Sequence, residues 1–328
     1  MSATMFQPLP FLGNPHIQTI LGSFYQGRTP PLSVRFRTLA LPDGDRLALY
    51  DSRPPNWKPG GWMALMAHGL GGSHRSSYQG RLATLLLPHG IRVVRMDLRG
   101  AGRGISMARG VYNGGCSEDV RAVVAELRRW DPAARIVLVG FSLGGNIVLK
   151  LAGEAADGPI PGLEAVATLG PPIDLERCSD LIGLPANRIY DRHFARLLVR
   201  QVQRQRHFFP NLPLIAFPRD PTLRQFDDLY TAPRGGFANA LEYYRRSSSG
   251  PLIPRIKVPT LLMTARDDPF ITAQAFEELP AMANVEIRIE ERGGHLGFVG
   301  HDGRGGVRWA EPQLADWILR TMRKVEHR

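Results

Sequence analysis

Short apolar runs alternate with helix-periodic segments along most of the chain, and this alternation predicts an α/β fold. Val34 to Leu41 and Arg46 to Asp51 flank Pro42-Asp43-Gly44-Asp45, a turn sequence that predicts an antiparallel hairpin. Trp62 to Ala67 reads as a buried strand running into His68-Gly69-Leu70-Gly71-Gly72. A helix over Tyr78 to Leu87 leads to the β-branched strand Ile91 to Met96, closed by Asp97-Leu98-Arg99-Gly100-Ala101-Gly102. Ser117 is placed to cap the next helix, with Glu118 and Asp119 in the first turn, where the helix dipole favours acids. Asp131-Pro132 ends that helix, and Arg135 to Val139 forms the next strand. Gly140-Phe141-Ser142-Leu143-Gly144-Gly145 then turns the chain into a helix from about Asn146 to Ala155, and the strand Ala165 to Leu169 ends at Gly170-Pro171-Pro172.

From Ile173 to about Pro251 the segment reads as several helices without intervening strands, which predicts an inserted cap. The rhythm resumes with Thr260 to Ala265, a helix after Pro269, the strand Val285 to Ile289 and an amphipathic helix around Leu314 to Met322. The expectation is a mainly parallel, doubly wound sheet with right-handed crossovers and a helical cap inserted after the sixth strand. Core residues fall in 1–172 and 252–328, and the cap in 173–251.

Gly140-Phe141-Ser142-Leu143-Gly144 matches G-x-S-x-G, a strand-to-helix turn that presents a nucleophilic serine. Side chains at the flanking positions would collide with neighbouring elements, hence the glycines. A serine hydroxyl needs a base to take its proton. His295, in Arg292-Gly293-Gly294-His295-Leu296-Gly297-Phe298 after the last strand, is the candidate. The acid that orients it should end the preceding strand, where Arg266-Asp267-Asp268-Pro269-Phe270 stands. Asp268 is favoured, and Asp267 is the alternative. An oxyanion needs donors, and the backbone amides of Leu143, after the serine, and of Leu70, after His68-Gly69, are placed to supply them. His68 is expected to hold its loop, because as a base it would stand in the wrong chain order.

Length and composition narrow the class further. The 328 residues suit one large α/β domain with an insertion, and 43% hydrophobic with 22% charged residues describes an ordinary globular chain. The two cysteines, Cys116 and Cys178, lack the spacing of a zinc or redox site, so a reducing compartment and no metal or organic cofactor are expected. The first residues lack a basic leader and a small-residue cleavage site, and Ile136 to Gly153 contains Ser142, Asn146 and Lys150, so a cytoplasmic protein is expected. The formal charge of +11 comes from scattered arginines, with lysine only at 58, 150, 257 and 324, and argues for solvated surfaces rather than a nucleic-acid partner. One local pattern stands out. Arg188, Arg192, Arg196, Arg200 and Arg204 recur every four residues, a stripe open to two readings: a solvated face, or a peripheral contact of the cap with anionic headgroups.

The segments HGLGGS, DLRGAG, GFSLGGN, ARDDPF and GGHLGF, with the early NPHIQT, resemble the YheT-like branch of the α/β-hydrolases, related to the ABHD lipases and esterases. The resemblance covers nearly the whole chain and extends to Phe226-Asp227-Asp228-Leu229 and Leu241-Glu242-Tyr243-Tyr244 in the cap. It implies a carboxylic-ester hydrolase of acyl lipids or shorter esters, with Ser142, Asp268 and His295 on the family's charge-relay positions. The chain order serine, aspartate, histidine is that of the family. A thioesterase or acyltransferase using the same triad, and a non-catalytic binding protein, are the rival expectations. Oligomeric state has no signature in the sequence.

Overall fold

Along β3 (Trp62–Ala67) every side chain is buried, and neighbours alternate between two cores. Met63, Leu65 and Ala67 join one face, and Trp62, Ala64 and Met66 join the other, as the period of two dictates for a strand covered on both sides. In a computed structural model describing residues 5–24 and 31–327, this strand lies inside an eight-stranded sheet.

A helix α1 (Pro15–Phe24) precedes the hairpin β1 (Arg35–Ala40) and β2 (Arg46–Ser52). After β3 come α2 (Ser77–Leu86), β4 (Arg92–Asp97), α3 (Ser117–Trp130), β5 (Arg135–Phe141), α4 (Leu143–Glu154) and β6 (Leu163–Leu169). The next strand is β7 (Thr260–Ala265), followed by the single turn α10 (Gln274–Glu277), β8 (Val285–Glu290) and the closing helix α11 (Ala310–Glu326). Between β6 and β7 the chain forms helices alone. They are α5 (Leu175–Ile182), the 21-residue α6 (Arg188–Phe208), α7 (Leu223–Phe226), a π-helical turn Asp227–Thr231, α8 (Ala232–Arg234), α9 (Ala240–Ser247) and the 3₁₀ turns Pro185–Asn187 and Gly250–Arg255.

The sheet order is β1-β2-β4-β3-β5-β6-β7-β8. The hairpin pairs antiparallel and joins β4 antiparallel, and every pairing from β4 through β8 is parallel. Helices α3 and α4 cover one face through Val120, Leu127, Ile147 and Leu151, while α2 and α11 cover the other through Leu82, Leu86, Leu314 and Ile318. The mainly parallel, doubly wound architecture expected from the alternation is the one observed.

Two local expectations change. Ser117 is the first residue inside α3, and Cys116 holds the capping position without a side-chain cap bond. The reason lies in the preceding turn, where the Ser117 amide already donates to the Gly115 carbonyl at 2.8 Å. The helix after the serine turn begins at Leu143 rather than Asn146, so the serine itself is its capping residue.

Candidate active site

Ser142 directly follows β5 with φ 49° and ψ −126°, a backbone conformation that non-glycine residues seldom adopt and that costs on the order of 1–3 kcal/mol. Close packing over-determines it. A Cβ at Gly140 would lie 2.4 Å from the Gly145 Cα, and one at Gly144 would lie 2.5 Å from the carbonyl oxygens of both Ala67 and His68. The Ser142 amide donates to the Leu169 carbonyl at 2.9 Å, fixing the turn against β6. The hydroxyl therefore stands at the carboxyl rim of the sheet, where ligands of open α/β sheets bind.

His295 reaches that hydroxyl from the loop after β8. Its Nε2 is 2.9 Å from Ser142 Oγ, and its Nδ1 is 2.8 Å from Asp268 Oδ2. Asp268 lies just beyond β7, and its other oxygen accepts the Phe270 and Ile271 amides at 2.9 and 3.1 Å. A carboxylate only accepts, so Nδ1 carries the imidazole proton and Nε2 presents its lone pair to the serine O–H. Asp267 points elsewhere: its carboxylate accepts the Gly294 amide at 2.9 Å. Burial, together with the Asp268 charge, holds its carboxyl above the usual range. The structure thus brings Ser142, His295 and Asp268 into one hydrogen-bonded chain and places Asp267 outside it.

The loop after β3 lies against the serine, with a Cβ at Gly69 falling 3.0 Å from Ser142 Cβ. Its amides are allotted: Gly69 donates to the Tyr78 hydroxyl, Gly71 to the Tyr112 hydroxyl and Gly72 to the Gly69 carbonyl. Among the described residues the amides of Leu70 and Leu143 have no acceptor, and both residues line the cavity that holds Ser142 and His295. His68 is fully buried and burial lowers its pKa. Its Nε2 accepts the Leu98 amide at 3.0 Å, which leaves Nδ1–H to donate to the Gly69 carbonyl at 2.7 Å. This imidazole pins the loop and stands apart from the serine relay.

The cavity measures about 90 Å³ and its walls are mostly apolar, including Leu175, Ile182, Phe194, Phe270 and Ile271. Phe270 packs 4.9 Å from the His295 ring and meets Tyr190 and Phe194 of α6 edge-on, so the cap closes directly over the imidazole. One wall residue is acidic. Asp227, on the π-helical turn, is 6% exposed and accepts the Tyr244 hydroxyl at 2.7 Å. Burial pushes its carboxyl up to about 6.

Three supporting residues escaped the sequence reading. Thr19 of α1 accepts the His295 amide at 2.9 Å, and the wholly buried Gln18 clasps Val299 with both amide atoms, so the NPHIQT segment anchors the histidine loop. Asn146 joins core to cap, donating to the Gly114 and Ser247 carbonyls and accepting the Ser249 amide. Its signal was a lone amide in an apolar helix. Among the described residues no three His, Cys, Asp or Glu side chains gather as a metal site, and no helix is long and apolar enough to cross a membrane.

A doubly wound sheet with a strained serine turn after β5, an acid after β7 and a histidine loop after β8 defines a hydrolase-type α/β protein. The alpha/beta hydrolase family model matches residues 64–305, and the chain belongs to that family. It is 33% identical over 324 residues to YheT of Escherichia coli, a protein whose name carries esterase as a provisional assignment, with 97% of this chain and 94% of that one covered. It is 27% identical over 295 residues to the mouse phospholipase ABHD3, covering 86% of this chain and 70% of the relative. Among solved structures, the 2,6-dihydroxy-pseudo-oxynicotine hydrolase shares the fold at a TM-score of 0.59 and 20% identity, over 93% of this chain and 71% of that one. These relatives agree with the YheT-like resemblance and with an enzyme of the hydrolase class.

Proposed function

We propose that the chain is a serine carboxylic-ester hydrolase acting through an acyl-enzyme on Ser142. The observation that carries this reading is the unbroken relay from Ser142 Oγ through His295 to Asp268, with both links under 3 Å. His295 Nε2 takes the serine proton as Oγ attacks the ester carbonyl, and Asp268 stabilises the imidazolium without itself accepting the proton. The carbonyl oxygen becomes an oxyanion facing the amides of Leu70 and Leu143, donors that cost no reorganisation as charge develops. The ester C–O bond breaks, the alcohol leaves with the proton from Nε2, and water repeats the sequence to release the acid and restore the serine.

The apolar cavity favours an acyl chain on the serine side. A second cavity of about 30 Å³ shares Leu70, Leu143, Asp227 and Tyr243 with the first and continues it under the cap. The small volume favours short or medium acyl chains, and longer lipids require the cap helices to shift. The relatives' names, an esterase and a phospholipase, support acyl esters while differing in head group.

A fluorophosphonate probe tests the reading directly. Wild type is expected to be labelled and Ser142→Ala to be unlabelled, with hydrolysis of p-nitrophenyl butyrate falling by about 10⁴-fold or more. An unlabelled wild type, or equal labelling of both, overturns it. A panel of p-nitrophenyl esters, acyl-CoAs and anilides then ranks ester against thioester and amide, and faster turnover of either rival class removes the carboxylic-ester assignment.

A further inference from the structure

Helix α6 spans about 30 Å at 1.5 Å per residue and presents two different faces. Asp191, Ala195, Leu198, Val202 and Gln205 are buried, and Leu198 and Val202 pack with Leu223, Phe226 and Tyr230. The outward face follows the spacing 189, 193, 196, 200, 204, 208, which is one helical stripe. Its cations are concentrated in the middle, at Arg196, Arg200 and Arg204. Its ends are apolar: Ile189 is 79% exposed and Phe208 is 51% exposed.

The five-arginine stripe is not uniform. Arg192 and Arg196 both pair with Asp220, at 3.3 and 2.8 Å. Arg200 and Arg204 have no carboxylate partner among the described residues, and they face a groove of about 890 Å³ between α6 and the loops after β3 and β4. Among the described residues no aspartate or glutamate lines that groove, whose other wall is formed by Gly71, Gly72, Gly100, Ala101 and Gly102. Two guanidinium groups without a carboxylate partner among the described residues, with an exposed apolar side chain at each end of the helix, are complementary to an anionic lipid surface. Exposed apolar groups of this size are unrewarded in water and are stabilised at the headgroup boundary.

We infer that α6 docks the molecule on an anionic phospholipid bilayer, with headgroup phosphates entering the groove at Arg200 and Arg204 and with Ile189 and Phe208 seated in the interface. Gly71 and Gly72 of the groove follow Leu70 directly in the chain, so this contact places a lipid beside the loop that faces Ser142. The contact is a matter of binding and stands whether or not the ester-hydrolase reading holds.

Flotation of the full chain with vesicles tests it, one set of phosphatidylcholine alone and one an equal mixture with phosphatidylglycerol. Wild type is expected to float with the mixed vesicles only and to be released by raised salt. Arg200→Gln with Arg204→Gln should weaken that binding by about thirtyfold, at about one kcal/mol for each basic residue near the surface. Arg200→Lys with Arg204→Lys should retain most of it, and Ile189→Ser with Phe208→Ser, both at exposed positions, should weaken it again. Unchanged melting temperatures establish that each variant is folded. Flotation with neutral vesicles equal to that with mixed ones, or undiminished binding by the double glutamine variant, overturns the inference. So does binding of sn-glycerol 3-phosphate as tight as that of the mixed vesicles, which would make the groove a site for a soluble anion.

Discussion

The carboxyl rim of the sheet and the helical cap meet over one small cavity, yet they are held together by different physics. At the rim, backbone approaches backbone. Gly144 lies within contact of the Ala67 and His68 carbonyls, and Gly297 would place a Cβ 2.5 Å from the carbonyls of Gln18 and Gly293. Leu296 and Phe298 join Ser142 at positive φ, so the serine and histidine turns both store strain that the surrounding packing imposes. The cap is instead tied by side chains to distant partners. Gln205 donates to the Ala108 and Gly110 carbonyls, Asp191 accepts the Leu223 amide, and Asn187 donates to the Pro269 carbonyl. Rim geometry therefore tolerates almost no change in backbone, whereas cap geometry depends on a few long side chains that can exchange partners.

The largest effect should come from the relay itself. Asp268→Asn keeps the size of the side chain but presents an amide to His295 Nδ1, which favours the wrong imidazole tautomer. The expected loss in kcat is about 10⁴-fold with little change in KM. Asp267→Asn retains an oxygen for the Gly294 amide and should change kcat by less than about tenfold. Steady-state kinetics on one soluble ester compare the two. Similar losses in both variants would mean that the rim as a whole, rather than one acid, positions the imidazole.

Glycine substitutions sharpen the contrast between the regions. Gly144→Ala forces a methyl against the consecutive carbonyls of Ala67 and His68 at the end of β3, at a cost of about 3 kcal/mol. In the cap, Gly183 has φ −69°, and its Cβ would meet the Asp180 and Ser179 carbonyls at 3.4 Å. Gly183→Ala should stay within about 0.5 kcal/mol of wild type. Thermal melting of the two variants measures the difference, and equal stabilities would show that rim packing is looser than these distances require.

The same contrast explains what could be read from the residues alone. The strand–helix alternation and the glycine-flanked serine were legible because a period of two in burial and a required glycine leave local marks. The acid pair Asp267-Asp268 was readable as a pair, and its assignment to one member needed the geometry of the chain beyond β7. The link from Thr19 to the His295 amide spans 276 residues and leaves no local mark at either end. The arginine stripe was visible as a period of four, but the neutralising Asp220 follows α6 across an irregular segment, so the split between paired and unpaired arginines was not. Ser117 misled because a favourable capping residue next to a first turn of acids fits a cap one residue later than the observed one at Cys116.

Asp227 carries the comparison into the cap interior. Burial is the main cause that raises this carboxyl to about 6 from its ordinary 3.8, aided by the charge of Asp228 and opposed by hydrogen bonds from Thr231 and Tyr244. The neighbouring phenols Tyr112, Tyr243 and Tyr244 are also pushed up by burial and stay neutral through the same range. The folded state binds the Asp227 proton more tightly than the unfolded chain does. Its contribution is therefore fully present below about pH 4 and is lost as pH rises through about 6, on the order of 3 kcal/mol in all. Asn mimics the protonated acid and keeps an acceptor for Tyr244. Asp227→Asn should lie within about 1 kcal/mol of wild type near pH 4.5 and exceed it in stability by about 3 kcal/mol near pH 7.5. Denaturant unfolding at the two pH values measures the gap. A gap that does not widen with pH would mean that the carboxyl is ionised and well solvated in the folded cap, and that the cap admits more water than its side-chain packing indicates.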